Sequence, residues 1–288
     1  MSFTIMTDTS ANLPEAFLRE NDVKCISYTF LIDGAEPEDF RFDGPRFYED
    51  MRKGTVVTTS QIPPQRYADF FRAELAQGRD LLFVSMSSGI SGSYNSACIA
   101  AEDLRAEFPE RRLRLVDALG ASLGEGLLVI FAARLRAAGV SLDATADRLL
   151  GRRYGICQVF TVDDLRYLKR GGRLSNLAAA VGTVLQIKPL LKGDSEGKIV
   201  CFDKLRGRRR AIEAMAECFD VHALRDRRLT VGIAHADCEA DAQRLMELLR
   251  AKRSDMEIIT VVYEPVTGSH VGPGTLALFF EGDTGFRE

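Results

Sequence analysis

Hydroxyl groups and glycines follow one apolar strand of the chain in a pattern that suits an anion. The stretch SSGISGS, residues 87–93, comes directly after the apolar run LLFVSM and before a helical segment. Free backbone amides at such a junction favour anions, because the first turn of a helix carries partial positive charge. The same residues fit a tight turn with a helix cap equally well. Alone, the stretch indicates either an anion site or a purely structural turn.

The specific fingerprints of nucleotide and acyl-serine chemistry are absent from this stretch. It contains neither G-x-x-x-x-G-K-[ST] nor G-x-G-x-x-G, the patterns that hold nucleotide phosphates. Around Ser91 the hydrolase pattern G-x-S-x-G fails, because Ser93 stands where the second glycine is required. A nucleotide site and a nucleophilic serine are therefore not favoured.

Two other segments could contribute to the same site. TTSQIPP carries the hydroxyl groups of Thr59 and Ser60, and GSHVGPG carries His270 between glycines, where a ligand could approach the imidazole closely. Loops at the carboxyl edge of a doubly wound sheet converge. We therefore expect Thr59, Ser60 and Ser88 to face one another, with His270 as a further site residue.

Basic side chains are concentrated in two turns. DKLRGRRRA contains Lys204 and Arg206, and LKRGGRLS contains Arg170 and Arg173. A solvated basic face is the commonest explanation of such runs, but a guanidinium at a turn could also clamp a phosphate or a carboxylate. Nucleic acid is not favoured, because no aromatic residues interleave with the arginines.

No metal site or cofactor is predicted. His235 is followed by ADCE, but consecutive ligands at the end of a strand do not converge easily on one ion. Asp8 could bind a cation, yet a role in a turn or cap is preferred. The six cysteines are widely spaced without a C-x-x-C pair, which indicates reduced thiols.

Composition limits the partners of the protein. The chain has 288 residues, 46% of them apolar, and its 38 basic and 41 acidic side chains leave a formal charge of -3. No global field favours nucleic acid or an anionic membrane. The sequence shows neither a signal peptide nor an apolar run long enough to span a bilayer. We therefore expect a cytoplasmic protein without stable membrane insertion.

The order of predicted elements indicates an α/β protein of two domains. Strands and helices alternate in the first half, which is typical of a doubly wound, mainly parallel sheet. The alternation breaks near Gly151, and a smaller α/β domain with a mixed sheet is predicted to follow. The boundaries are residues 1–157 and 158–288. Within the second domain, LAAAVGTVLQIKPLLKG is predicted to form an apolar helix that ends before Pro189.

The motifs, taken in chain order, resemble those of the DegV family of fatty-acid-binding proteins. TDTSANLP, TTSQ, SSGISGSYNSA, LKRGGRLS with IKPLL, KLRGRRRA and HVGPGTL carry the resemblance from Thr7 to about Phe280. It implies a two-domain DegV fold that encloses one long-chain fatty acid between its domains. It also implies that the fatty acid is presented to a separate ATP-dependent kinase, which makes an acyl phosphate for phospholipid synthesis.

The resemblance assigns roles to residues of this chain. Thr59 and Ser88 match the family's contacts to the carboxyl group, and His270 matches a histidine near it. Arg206 matches an arginine implicated in kinase docking or phosphate handling. The remaining expected contacts are Ser60, Gly89, Ile90, Ser91 and Gly92 for the carboxylate, and Lys204 and Arg170 for the partner or its phosphate. The sequence departs from the family at Ile62, which separates TSQ from the prolines.

Elementary energetics agree with a binding protein that does no chemistry itself. A few neutral donors satisfy a carboxylate, whereas a buried lysine would lose more hydration than it regained. Each buried methylene of palmitate, stearate or oleate would contribute about 0.8 kcal/mol. The alternative is an enzyme, a phosphotransferase subunit similar to the dihydroxyacetone kinase family, in which His270 would hold a small hydroxyketone.

Overall fold

The computed structural model describes residues 3–174 and 187–288, and the strands in these residues form three sheets. Ten helices of the described residues accompany them. The strands are β1 (Thr4–Asp8), β2 (Val23–Ile26), β3 (Thr29–Ile32), β4 (Val57–Ser60), β5 (Leu81–Ser85), β6 (Leu113–Asp117), β7 (Ile156–Thr161), β8 (Ile187–Gly193), β9 (Ile199–Arg206), β10 (Leu229–His235), β11 (Met256–Val262) and β12 (Leu276–Glu281). The helices are α1 (Glu15–Glu20), α2 (Gly44–Lys53), α3 (Pro64–Leu75), α4 (Ser93–Glu107), α5 (Leu123–Ala137), α6 (Leu142–Arg152), α7 (Arg166–Gly171), α8 (Arg208–His222), α9 (Glu239–Lys252) and α10 (Pro265–Val271).

The first sheet is parallel throughout and has the order β2-β1-β5-β6. Its central strands β1 and β5 are buried along their whole length, as expected where helices cover both faces. The strand order reverses between β1 and β5, and ligands of open α/β sheets bind outside the carboxyl ends at such a point. The predicted doubly wound parallel sheet is confirmed.

The second large sheet is mixed and has the order β11-β10-β12-β7-β8-β9. Strands β10 and β11 are parallel, whereas the other neighbouring pairs are antiparallel. The predicted mixed sheet is therefore confirmed. Its first strand in sequence begins at Ile156, one residue before the predicted domain boundary.

The prediction of a helix that ends before Pro189 is wrong at Ile187 and Lys188, where the chain already forms β8. The rest of that prediction falls on residues 175–186 and lies outside the described residues. Pro189 faces Lys204 in β9 but lies beyond the two residues of β8 that pair with β7. Its missing N–H therefore interrupts no hydrogen bond to β7, which is why proline is tolerated here.

Helix α5 packs against both large sheets. It contacts β1 and β5 of the parallel sheet as well as β7, β10 and β12 of the mixed sheet. Close approach to β10 depends on Gly232, where an added Cβ would lie 2.8 Å from Cβ of Leu123. One hydrophobic core consequently includes Leu82 of the parallel sheet and Phe279 of the mixed sheet.

A two-stranded antiparallel ribbon of β3 and β4 carries Thr59 and Ser60 of the TTSQ motif. Thr59 pairs with Phe30, and Ser60 pairs with Thr29. None of the helices in the described residues combines the length and apolar character needed to cross a bilayer.

Candidate ligand-binding site

An open cavity of about 840 Å³ lies among the loops of the parallel sheet, the β3–β4 ribbon and the mixed sheet. Its lining divides into a polar group and an apolar group. The polar side chains include Thr59, Ser60, Gln61, Ser91, Arg173 and His270. The apolar side chains include Met86, Phe160, Leu168, Ile199, Val271 and Phe279. Such a lining suits a ligand with one polar group and a large hydrocarbon part.

Thr59 and His270 meet at the polar end of the cavity. Oγ1 of Thr59 lies 2.7 Å from Nε2 of His270, across 211 residues of sequence. The other side of the imidazole is in contact with the end of α7, where a Cβ on Gly171 would lie 2.4 Å from Nδ1. The ring is therefore fixed between β4 and α7.

His270 is neutral at neutral pH. Burial lowers its pKa to about 4, and the positive charges of Arg173 and Arg170 act in the same direction. A neutral imidazole carries one N–H and one acceptor nitrogen. His270 can therefore either donate to Thr59 or accept from it.

The serine and glycine stretch contributes only part of its length to the cavity wall. Ile90 and Ser91 line the cavity. The Ser91 hydroxyl lies 3.1 Å from that of Ser93 and accepts from the Ser93 amide at 3.2 Å, which stabilises the first turn of α4. The stretch thus forms the turn before α4 and also contributes to the cavity wall, whereas the anion site stays a prediction.

Two glycines of this loop allow close contacts with other segments. A Cβ on Gly89 would lie 2.6 Å from the carbonyl oxygen of Glu196 in the β8–β9 turn. A Cβ on Gly92 would lie 2.1 Å from Oε1 of Gln61. Gly89 and Gly92 therefore hold neighbouring elements together, and neither is among the residues that line the cavity.

Ser88 lies outside the cavity wall, although it was predicted to contact the ligand carboxylate. It is exposed and does not line the cavity. Its hydroxyl donates to Asp117 at 2.5 Å, and its amide donates to the same carboxylate at 3.2 Å. The cause is the register of the parallel sheet, which pairs Ser85 with Asp117 and places this acceptor beside the loop.

The structure brings two of the predicted basic residues close to the polar end. Arg173 lines the cavity, and its Nε donates to the carbonyl of Ile90 at 3.2 Å. Arg170 is exposed, with its guanidinium 5.2 Å from the centre of the Tyr167 ring. The polar end thus includes a cation, whereas a set of neutral donors was expected.

Lys204 and Arg206 lie apart from the cavity. Both are exposed on β9, where they pair with Pro189 and Ile187 of β8, and neither lines the cavity. The geometry therefore offers no contact between these side chains and a ligand inside it.

The inserted Ile62 has a clear structural role. Its side chain is fully buried, and its amide donates to the Ser93 hydroxyl at 3.1 Å. The insertion thus ties the loop after Thr59 to the start of α4. The departure from the family pattern leaves Ser60 and Gln61 on the cavity wall.

Buried carboxyl groups lie below the loops, at the carboxyl end of β1. Asp8 accepts from the amide of Ser10 at 3.0 Å, which confirms the predicted cap. Glu125 of α5 accepts from the hydroxyls of Thr7 and Ser10. Burial raises the pKa of Asp8 to about 6, and burial together with Asp8 raises the pKa of Glu125. Both acids therefore keep their protons to a higher pH than exposed carboxyl groups do.

Several residues of the wall were not singled out from the sequence as ligand contacts. Gln61 directly follows TTS, so proximity to a motif was an available signal for it. Tyr28 and Gln158 also line the cavity, but they lie in apolar strand segments and resemble core residues. Within the described ranges, no three His, Cys, Asp or Glu side chains are grouped to hold a metal ion.

Comparison with known proteins places these features in a family. The protein-family model described as "Uncharacterised protein, DegV family" matches residues 2–283. A DegV domain-containing protein of Clostridium perfringens is 36% identical over 285 residues, which cover 98% of each protein. Protein DegV of Bacillus subtilis is 30% identical over 281 residues, 96% of this chain and 98% of that protein.

Solved structures are similar over the same length. A DegV family protein from Thermus thermophilus, described by its fatty acid binding, has a TM-score of 0.89 and 29% identity, covering 98% of this chain and 100% of that chain. DegV of Bacillus subtilis, described as a fatty acid binding protein, has a TM-score of 0.84 and 28% identity, with coverage of 98% and 100%.

Proposed function

Because the chain belongs to the DegV family, we propose that it binds one long-chain fatty acid, such as palmitate, stearate or oleate, in the cavity. The acid lies between the predicted domains, residues 1–157 and 158–288. The observation that carries this proposal is a cavity wall that combines the hydrogen-bonded pair of Thr59 and His270 with a largely apolar lining, which includes Phe160, Ile199 and Phe279. The fatty acid binding described for the proteins of Thermus thermophilus and Bacillus subtilis supports it.

The hydrogen bond between His270 and Thr59 determines how the carboxylate is held. If Nε2 of His270 carries the proton and donates to Oγ1 of Thr59, the hydroxyl proton of Thr59 is free to donate to the ligand. If Thr59 instead donates to Nε2 of His270, its hydroxyl proton is used within the protein and is not available to the ligand. In the proposed complex His270 therefore orients Thr59, and the hydroxyl of Ser60 adds a further donor.

The positive charge of Arg173 supports an anionic head group. Its guanidinium lines the cavity while two of its donors bind backbone carbonyls of Gly171 and Ile90. A cation held in this way attracts a carboxylate without a neutralising acidic partner. The apolar wall then supplies most of the affinity, at about 0.8 kcal/mol for each buried methylene.

The proposed role is to present the carboxyl group to a separate ATP-dependent fatty acid kinase in the cytoplasm, for acyl-phosphate formation and phospholipid synthesis. The exposure of Ser60 and Gln61 at the polar end supports access to the head group. The exposed Lys204, Arg206 and Arg170 are the proposed contacts with that partner or its phosphate. In this role the protein itself is not a catalyst.

The alternative of a hydroxyketone-binding phosphotransferase subunit has weaker support. A three-carbon hydroxyketone would leave the apolar wall formed by Phe160, Ile199 and Phe279 without a hydrocarbon partner. His270 is also engaged with Thr59 and packed against Gly171, which restricts its use as a nucleophile.

Mass spectrometry of an organic extract of the purified protein tests the proposal. We expect a fatty acid in stoichiometric amount, and Thr59→Val should reduce its retention because valine keeps the shape of threonine without the donor. Ser88→Ala is the matched control, since that hydroxyl is directed to Asp117. Absence of lipid in the extract, together with no thermal stabilisation by added palmitate, would refute fatty acid binding.

If Ser88→Ala loses lipid as strongly as Thr59→Val, the head group is held at the loop around Ser88 and the assignment of the polar end is wrong. A charge reversal of Arg206 that leaves kinase turnover unchanged would remove that residue from the proposed partner surface.

A further inference from the structure

A buried amide, that of Gln158, forms part of the cavity wall away from the polar end. The polar end lies beyond the carboxyl end of β7, because α7 follows that strand and Gly171 of α7 contacts His270. Phe160 and Gln158 both line the cavity from alternate positions of β7. Two residues of a strand span about 7 Å, so Gln158 lies about that much farther from the polar end than Phe160.

The amide of Gln158 is held by backbone groups of one loop. Its Nε2 donates to the carbonyl of Leu119 at 3.2 Å, and its Oε1 accepts from the amide of Ala121 at 3.3 Å. The residue is 8% exposed. Because both ends of the amide are hydrogen-bonded, its burial avoids the cost of an unsatisfied polar group, and its orientation is fixed.

Glycines surround this side chain closely. An added Cβ would lie 2.7 Å from the Gln158 amide at Gly120, 2.5 Å at Gly124 and 3.2 Å at Gly193. The backbone thus approaches the amide where a side chain would be excluded. The space that Gln158 occupies would therefore join the cavity if the side chain were shortened.

We propose that Gln158 closes the acyl end of the cavity and sets the length of the fatty acid that the protein accepts, an inference that rests on the proposed function. A long unbranched side chain such as methionine deforms easily around a ligand. The amide of Gln158 cannot rotate without losing its bonds to Leu119 and Ala121. It therefore acts as a fixed stop for the terminal methyl group.

The test measures the affinities of wild type, Gln158→Ala and Gln158→Met for saturated fatty acids from laurate to arachidate. We expect Gln158→Ala to prefer a chain longer by about two methylenes, each adding roughly a four-fold gain in affinity. Gln158→Met retains the length of the side chain without its hydrogen bonds. Because methionine can move aside, this variant should shift toward longer acids, but by less than Gln158→Ala, and it should lose stability to urea.

Gln158→Asn provides a second variant that keeps an amide while shortening the side chain. It should move the preference in the same direction by about one methylene, with a roughly four-fold gain for the longer acid. An unchanged preference in both shortened variants would overturn the inference, as would a shift in Gln158→Met equal to that in Gln158→Ala. These results are distinct from failure of the proposed function, in which wild type binds none of the acids.

Discussion

Replacing His270 with glutamine removes a group whose protonation the folded protein resists. Burial, with the charges of Arg173 and Arg170, lowers the pKa of His270 from its ordinary 6.5 to about 4. The neutral form is thus favoured on folding. His270 contributes its full stabilisation above the pKa of the unfolded chain, and this contribution is lost as the pH falls through 6.5 toward 4.

The size of this effect follows from the depression of the pKa. One pKa unit corresponds to about 1.4 kcal/mol, so the whole interval corresponds to about 3 kcal/mol. Between pH 7 and pH 5 only part of the titration takes place, and the loss is about 2 kcal/mol of unfolding free energy. His270→Gln lacks this titration. The stability of wild type relative to the variant should therefore fall by about 2 kcal/mol over that range.

Buried acids make the comparison between two proteins necessary. Burial raises the pKa of Asp8 to about 6 and that of Glu264 to about 7. Their contributions have the opposite sign, because a raised carboxyl pKa stabilises the protein at low pH and this stabilisation is lost as the pH rises through the folded value. Both acids are present in wild type and variant. Their contributions cancel in the difference.

Urea denaturation of both proteins at pH 7, 6 and 5 gives the required free energies. If the unfolding free energy of wild type falls relative to that of His270→Gln toward low pH, the result supports a neutral imidazole held between Thr59 and Gly171. Parallel pH profiles would refute the reasoning, because they would mean that His270 becomes protonated in the folded protein as easily as in the unfolded chain.

Two substitutions test contacts that hold the cavity wall together. Gly197→Ala should lower the unfolding free energy by about 2–4 kcal/mol, because Gly197 has a φ of 73° and a Cβ would lie 2.1 Å from Oγ of Ser87. Gly34→Ala is the control for backbone strain alone, because Gly34 has a φ of 87° and a Cβ there would meet no atom within 4 Å. If urea denaturation shows the same loss of unfolding free energy for both variants, the clash with Ser87 contributes nothing. Arg287→Lys should cost about 2 kcal/mol or more, because the guanidinium donates to the carbonyls of Ile156, Asp194 and Leu119 whereas an ammonium cannot reach all three. An unchanged urea midpoint would show that these bonds contribute no net stability.

The alternation of apolar strands and amphipathic helices predicted the parallel sheet, and its break near Gly151 indicated the mixed sheet, although β8 of that sheet was expected to be helical. It also indicated that hydroxyls after neighbouring strands would converge, and the motifs of the family resemblance identified Thr59 and His270. Their contact joins residues 211 positions apart. The pattern of neighbouring residues cannot predict a contact between such distant positions, whereas the family resemblance assigns both residues to one site.

The orientation of Ser88 could not be predicted, because it depends on the register between β5 and β6. That register determines that Asp117 lies within reach of the Ser88 hydroxyl. Gln158 was missed for a related reason. Its amide bonds to the backbone of a distant loop, so its sequence context in ICQVFT resembles an ordinary buried strand. Pro189 shows the converse, since pairing with β9 outweighed its local disfavour for a strand.

Helix α5 couples the unfolding of the two large sheets. This helix contacts β1 and β5 of the parallel sheet and β10 and β12 of the mixed sheet. If α5 detached, both sheets would lose part of the layer that covers them. Detachment of α5 would also expose the shared hydrophobic core, which includes Leu82 and Phe279. The two sheets are thereby coupled into one cooperative unit. A fragment cut at residue 157 would leave the mixed sheet with an uncovered apolar surface prone to aggregation.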